Sequence, residues 1–135
     1  MEVDFAGGAL SSEGGALLLG AVDQACDLTE KVAACLREWR QAGKLKHTLE
    51  DLVRQLVYQI ACGYPDGEDA EALRTDPILK LLVEREPESG ADLASQPTIS
   101  RFENGVGRQE VWAVSEVLIQ DFIAHHREEI GRAHV

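Results

Sequence analysis

Apolar positions recur along most of this chain at intervals of three and four residues, the period of an α-helix rather than the alternation of a strand. The clearest case is TLEDLVRQLVYQIACG, in which Leu49, Leu52, Val53, Leu56, Val57 and Ile60 form one stripe. At 100° per residue that stripe is roughly 140° wide, the face a helix turns toward a bundle core. Thr48 stands at its start with Glu50 and Asp51 in the first turn, and Gly63 falls just past its end. Arg54 and Tyr58, four apart, are placed together on the opposite face.

Other segments repeat the pattern. Ser12 opens a helix whose apolar face is Leu17, Leu18, Ala21, Val22 and Ala25, with Gly14, Gly15 and Gly20 weakening its propensity. Thr29 is the expected cap of a second helix, carrying Val32, Cys35, Leu36 and Trp39 as a buried stripe. Asp76 and Pro77 read as N-cap and first helical position of the short helix PILKLLV. A long helix from about Arg108 to Ile130 bears Val111, Trp112, Val114, Val117, Leu118, Ile119, Phe122 and Ile123. These cover roughly two thirds of its circumference, more than one core face requires, so a partner surface is expected there. Val3 and Phe5 alternate with Glu2 and Asp4 as a brief strand would. The predicted fold is mostly α: a small helical bundle of about five or six helices with a short N-terminal strand, one domain over residues 1–135.

The run LASQPTISRFENG stands apart. Ser95 is the expected N-cap, Pro97 lies in the first turn, and Asn104 with Gly105 supplies the expected left-handed stop. Ile99 and Phe102 point inward, leaving Gln96, Thr98, Ser100, Arg101 and Glu103 outward. Short hydroxyls, a glutamine and an arginine near a helix N-terminus are side chains that hydrogen-bond phosphates and base edges. An ordinary amphipathic helix with small polar residues outside would look the same.

Charge pulls the other way. The 135 residues carry a net charge of -11, whereas affinity for DNA rests largely on lysine and arginine. The distribution is uneven: Arg37 to Cys62 holds five basic and three acidic residues, Asp66 to Asp92 nine acidic and three basic. Within the first segment, Arg37, Arg40, Lys44, Lys46 and His47 surround Gly43, open to two readings: phosphate contact, or cations complementing the end of a helix dipole. His47 is expected to be a solvated loop residue. The acidic segment PDGEDAEALRTDP lacks the ligand alternation of a calcium loop and has no nucleophile beside it, and Glu84 to Gly90 is expected to be a solvated loop. His125, His126 and His134 show no i, i+4 metal spacing, and Cys26, Cys35 and Cys62 are read as buried free thiols. No apolar run approaches a bilayer span and no secretory signal is recognised, so a cytoplasmic protein without membrane or small-molecule partners is expected.

Five motifs in order, SEGGALLL, VDQACDLTEKVAACLRE, HTLEDLVRQLVYQIACGY, LRTDPILKLL and LASQPTISRFEN, resemble the N-terminal region of DDE transposases of bacterial insertion sequences, group-1 DDE proteins of the insertion-sequence thirteen-eighty type. The resemblance runs from about Phe5 to about Ile130. It implies terminal-repeat DNA as partner and, in the full-length family, three carboxylates holding two magnesium ions for in-line phosphoryl displacement. None of those carboxylates matches a residue of this sequence, and Asp121, Glu128 and Glu129 do not stand in for them. The tail GRAHV leaves the family pattern before the first catalytic strand, which reads as a truncation, a remnant or a fragment boundary.

The expected function is that of a transposase N-terminal domain taking part in transposon-end binding or assembly without strand-transfer catalysis and without a cofactor on this chain. DNA contact is assigned to Gln96, Thr98, Ser100, Arg101 and Arg54. The alternative is an acidic interaction module that dimerises or inhibits a full-length transposase, or a remnant without function. The separation of LASQPTISRFENG from the preceding clear helix departs from a helix-turn-helix.

Overall fold

A computed structural model of the chain describes residues 11–38, 40 and 46–132. Among these are seven helices and no strand: α1 (Ala16–Cys26), α2 (Leu28–Ala34), α3 (Leu49–Ala61), α4 (Asp69–Leu73), α5 (Pro77–Leu82), α6 (Gln96–Gly105) and α7 (Arg108–Arg132). The expected strand around Val3 and Phe5, and Trp39, Lys44 and His134, lie outside the described residues. No helix among the described residues is long and apolar enough to cross a membrane.

α3 is the centre. Thr48 and Asp51 form a reciprocal capping box, the Asp51 N–H donating to Thr48 Oγ1 at 3.1 Å, and Gly63 ends the helix at φ +94°. Leu52 and Val53 enter a core cluster with Ala70 of α4, Ala94, and Ile99 and Phe102 of α6. Around the helix from them, Tyr58 enters a second cluster with Leu79 and Val83 of the α5 region and Leu93. The stripe expected from the sequence therefore understates the buried surface and misplaces its ends: Ile60 is exposed, whereas Gln55, Tyr58 and Gln59 are buried. Each of these buried polar side chains has a partner, although Gln59 Oε1 accepts no hydrogen bond among the described residues. The Gln55 amide donates to the Ala94 carbonyl and accepts from the Ala94 N–H, both at 2.9 Å. Gln59 Nε2 donates to the Asp66 carbonyl at 2.7 Å, and the Tyr58 hydroxyl donates to Asp23 at 2.7 Å. Tyr58 is thus inside, not on an outward face with Arg54.

α1 also turns differently from the expectation. Leu17, Leu18 and Val22 are exposed, and the helix packs by Ala16, Gly20 and Asp23 on the other side. A Cβ on Gly20 would stand 2.5 Å from Leu82 Cδ2, so glycine lets α1 approach α5 more closely than any other residue could. Thr29 is not the cap of α2. Asp27, in the left-handed region at φ +54°, separates the two helices, and Thr29 is buried at the second position of α2, its hydroxyl and N–H both donating to Asp23.

Asp76 caps α5 as expected, accepting from the Ile78 and Leu79 N–H groups at 2.9 and 3.1 Å, and Ser11 donates to the same carboxylate. α4 is a five-residue addition to the expected set, held by the fully buried Ala70. The segment after α5 is not simply solvated: buried Lys80 reaches back to the Gly90 carbonyl at 3.1 Å and lies 3.4 Å from Asp92. The three cysteines are free, and half-buried rather than fully buried. α7 rests on α2 along one side, where Lys31 lies 3.7 Å from Asp121, and its remaining apolar residues face outward as the sequence pattern requires.

Gln55→Ala would strand the N–H and carbonyl of the fully buried Ala94 without partners. A loss of about 2–4 kcal/mol is expected, measurable as a lower midpoint in chemical denaturation followed by circular dichroism.

Candidate nucleic-acid interface

α6 is fixed from beneath. Ile99 is fully buried and Phe102 nearly so, and the two residues leading into the helix are immobilised: the Leu93 N–H donates to the Arg74 carbonyl at 2.9 Å, and Ala94 is held by Gln55. Ser95 occupies the N-cap position without bonding a backbone N–H. Its hydroxyl lies 3.2 Å from that of Thr98 instead. The far end departs from the expected left-handed stop. The helix runs through Gly105 and ends because Val106 is extended, at φ -76° and ψ 122°.

The N-terminus of α6 already holds an anion. The Gln96 N–H donates to Glu71 Oε2 at 3.2 Å, and Glu71 is also paired with Arg74. The Gln96 N–H bond, with Arg74 beside it, holds the Glu71 carboxyl below its ordinary value. A phosphate approaching this end would have to displace a carboxylate, so Gln96 and Thr98, both half-buried, flank the outer face rather than forming it. That face consists of exposed Pro97, Arg101 and Asn104 with half-buried Ser100 among them, at helical spacing opposite Ile99 and Phe102. Asn104 Nδ2 lies 3.4 Å from Ser100 Oγ, and among the described residues Arg101 has no ion-pair partner. Sequence reasoning spent Asn104 on the helix stop and missed it as a surface donor and acceptor beside Arg101. The i, i+3 interval between the two was the available signal.

Arg54 is not part of this face. It pairs with Glu50 and lines a cleft of about 500 Å³ between α1, α2, α3 and α5, together with Asp23, Thr29 and Tyr58. Burial pushes the Asp23 carboxyl up, but hydrogen bonds from the Thr29 hydroxyl and N–H and from Tyr58, with the charge of Arg54, bring it below its ordinary value. Burial and the adjacent Asp23 raise the Tyr58 phenol far above its usual range. The remaining charged groups of the cleft, Asp27, Glu30 and Glu84, are acidic, which is the wrong sign for a phosphate.

The cationic segment divides among its described residues. Arg40 is paired with Glu38 at 2.9 Å, while Arg37 and Lys46 are exposed. His47 is half-buried and not the solvated residue expected, because Arg85 Nη2 lies 2.8 Å from its Nδ1. A guanidinium can only donate, so the ring is neutral with its proton on Nε2. Burial first, then the charge of Arg85, holds the imidazole below its ordinary 6.5.

No three His, Cys, Asp or Glu side chains come together to hold a metal ion among the described residues. Asp121 on α7 faces Lys31 at 3.7 Å and His125 at 3.6 Å. The residues present therefore do not fit the two-magnesium arrangement, and no phosphoryl-transfer step is assigned to them. What the fold and its surface define is a helical module that supports one polar helix. Its residues 1–132 match the family model described as transposase DDE domain, group 1, and the chain belongs to that family. No curated protein and no solved structure gives a match.

Because the folded pKa of His47 lies below 6.5, its contribution to stability is complete above pH 6.5 and lost as pH falls through the folded value. The denaturation midpoint should fall between pH 7.5 and pH 5, and the part due to this residue should vanish in His47→Gln, which keeps an acceptor for Arg85 without a titrating ring.

Proposed function

We propose that this chain acts in DNA transposition as a helical, non-catalytic module that touches transposon-end DNA through the outer face of α6. The observation that carries the reading is the pairing of Arg101 and Asn104 on an exposed helix whose opposite side is locked into the core. Arginine and asparagine are the side chains that bond guanine and adenine edges bidentately, and a helix held by its inner face presents them at a fixed spacing. Ser100 lies beside Asn104, one turn earlier on the helix. Of the residues expected from the sequence, Arg101 and Ser100 carry the contact, Gln96 and Thr98 border it, and Arg54 takes no part.

Electrostatics limit the affinity. With a net charge of -11 and Glu71 and Glu103 close to the face, few phosphates are neutralised, so specificity rests on base edges. A contact of this kind gains from being one of several in a larger assembly, which favours the transposase setting over an independent DNA-binding protein. The outward apolar side of α7 supports a second role in assembly.

The test is binding of the folded chain to a labelled duplex carrying the element's terminal repeat, against scrambled duplex, at two salt concentrations. Arg101→Ala and Asn104→Ala should each weaken preferential binding roughly five- to hundredfold, with a shallow salt dependence. Unchanged affinity in both folded variants would remove α6 from the interface.

A further inference from the structure

α7 is 25 residues long, about 37 Å, and has two apolar sides. Val114, Val117 and Asp121 lie on the side seated against the body, and all three are half-buried. The other side carries Val111, Trp112, Leu118, Ile119, Phe122 and Ile123, between 41% and 71% exposed. From Val111 to His126 this outer stripe bears no carboxylate, lysine or arginine, on a chain with a net charge of -11. DNA is a poor match for such a surface, and water is a costly one.

We propose that the outer stripe of α7 is a self-association surface on which a second copy of this chain lays its own α7 in antiparallel orientation. Two features select that occupant. The first is area. Six large side chains at these exposures present roughly 600 Å² per chain, so two copies together bury on the order of 1,200 Å², within the range of specific interfaces and centred on the aromatic anchors typical of them. The second is charge. Glu116 and Arg127 border the stripe on the same rim, both exposed and neither ion-paired among the described residues. Antiparallel packing brings like rims of two helices together, so Glu116 of each copy comes alongside Arg127 of the other. Parallel packing would set opposite rims of the two helices together and leave Glu116 and Arg127 of each copy without a partner of opposite charge. An isologous pair of this sort closes on itself and forms no open chain. The inference stands on α7 alone and does not require α6 to reach DNA.

Sedimentation equilibrium of the full chain without DNA tests it. The wild type should be dimeric at about 100 µM, a concentration well above the dissociation constant of a micromolar interface. Ile119→Glu, an exposed position that leaves the bundle intact, should weaken the dimer at least about a hundredfold, with helicity checked by circular dichroism. Arg127→Glu should weaken it about fivefold or more, and the double change Glu116→Arg with Arg127→Glu should restore it. Leu18→Glu on exposed α1 and Arg101→Ala on α6 should dimerise as the wild type does. A monomeric wild type at that concentration, an Ile119→Glu protein that still dimerises, or a double change that fails to restore association would each overturn the proposal.

Discussion

Everything in this fold hangs on α3 being buried on two sides while keeping polar side chains on the surfaces it buries. Gln55, Tyr58 and Gln59 each extend from α3 to a different neighbouring segment, respectively the entry to α6, the α1–α2 corner and the loop before α4. An apolar side chain in any of these places would fill space but give up a hydrogen bond, and at Gln55 it would leave both backbone groups of buried Ala94 unpaired. The two core clusters are therefore joined through a polar spine, and each of the three neighbours is held by direction as well as by contact.

That arrangement also explains how much of the molecule its sequence disclosed. Elements governed by short-range rules were legible: the Thr48 capping box, the Asp76–Pro77 helix start, the Gly63 stop and the inward Ile99 and Phe102 all follow from residues within one or two turns. Elements governed by what lies opposite were not. Nothing near Gln55 in the chain announces that Ala94 will need both of its backbone groups satisfied. Gly20 looks like a weakness in α1 until Leu82 is placed against it. Thr29 looks like a cap until Asp23 turns out to be its acceptor.

The candidate interface divides along the same line. Arg101 and Ser100 stand away from the core as expected, because helical spacing alone sets them opposite Ile99 and Phe102. Arg54 lies apart from that face, in the cleft, because its surroundings depend on how α1 folds back over α3, which no local pattern encodes. Asn104 was overlooked for a different reason: Asn followed by Gly is a strong stop signal, and here Val106 ends the helix by going extended, freeing Asn104 to serve as surface. The family match over residues 1–132 and the observed helices agree on the kind of protein, while the chemistry of strand transfer finds no assembled carboxylates among the described residues.

The Gln55 clamp on Ala94 has a thermodynamic corollary for whatever meets α6. A helix whose approach segment is bonded on both sides of one peptide has few alternative orientations to lose, so association with it carries little ordering entropy. The heat capacity change of such an encounter should then reflect the surface covered, without an added contribution from coupled folding. An encounter with α6 would draw on preorganisation that folding has already supplied.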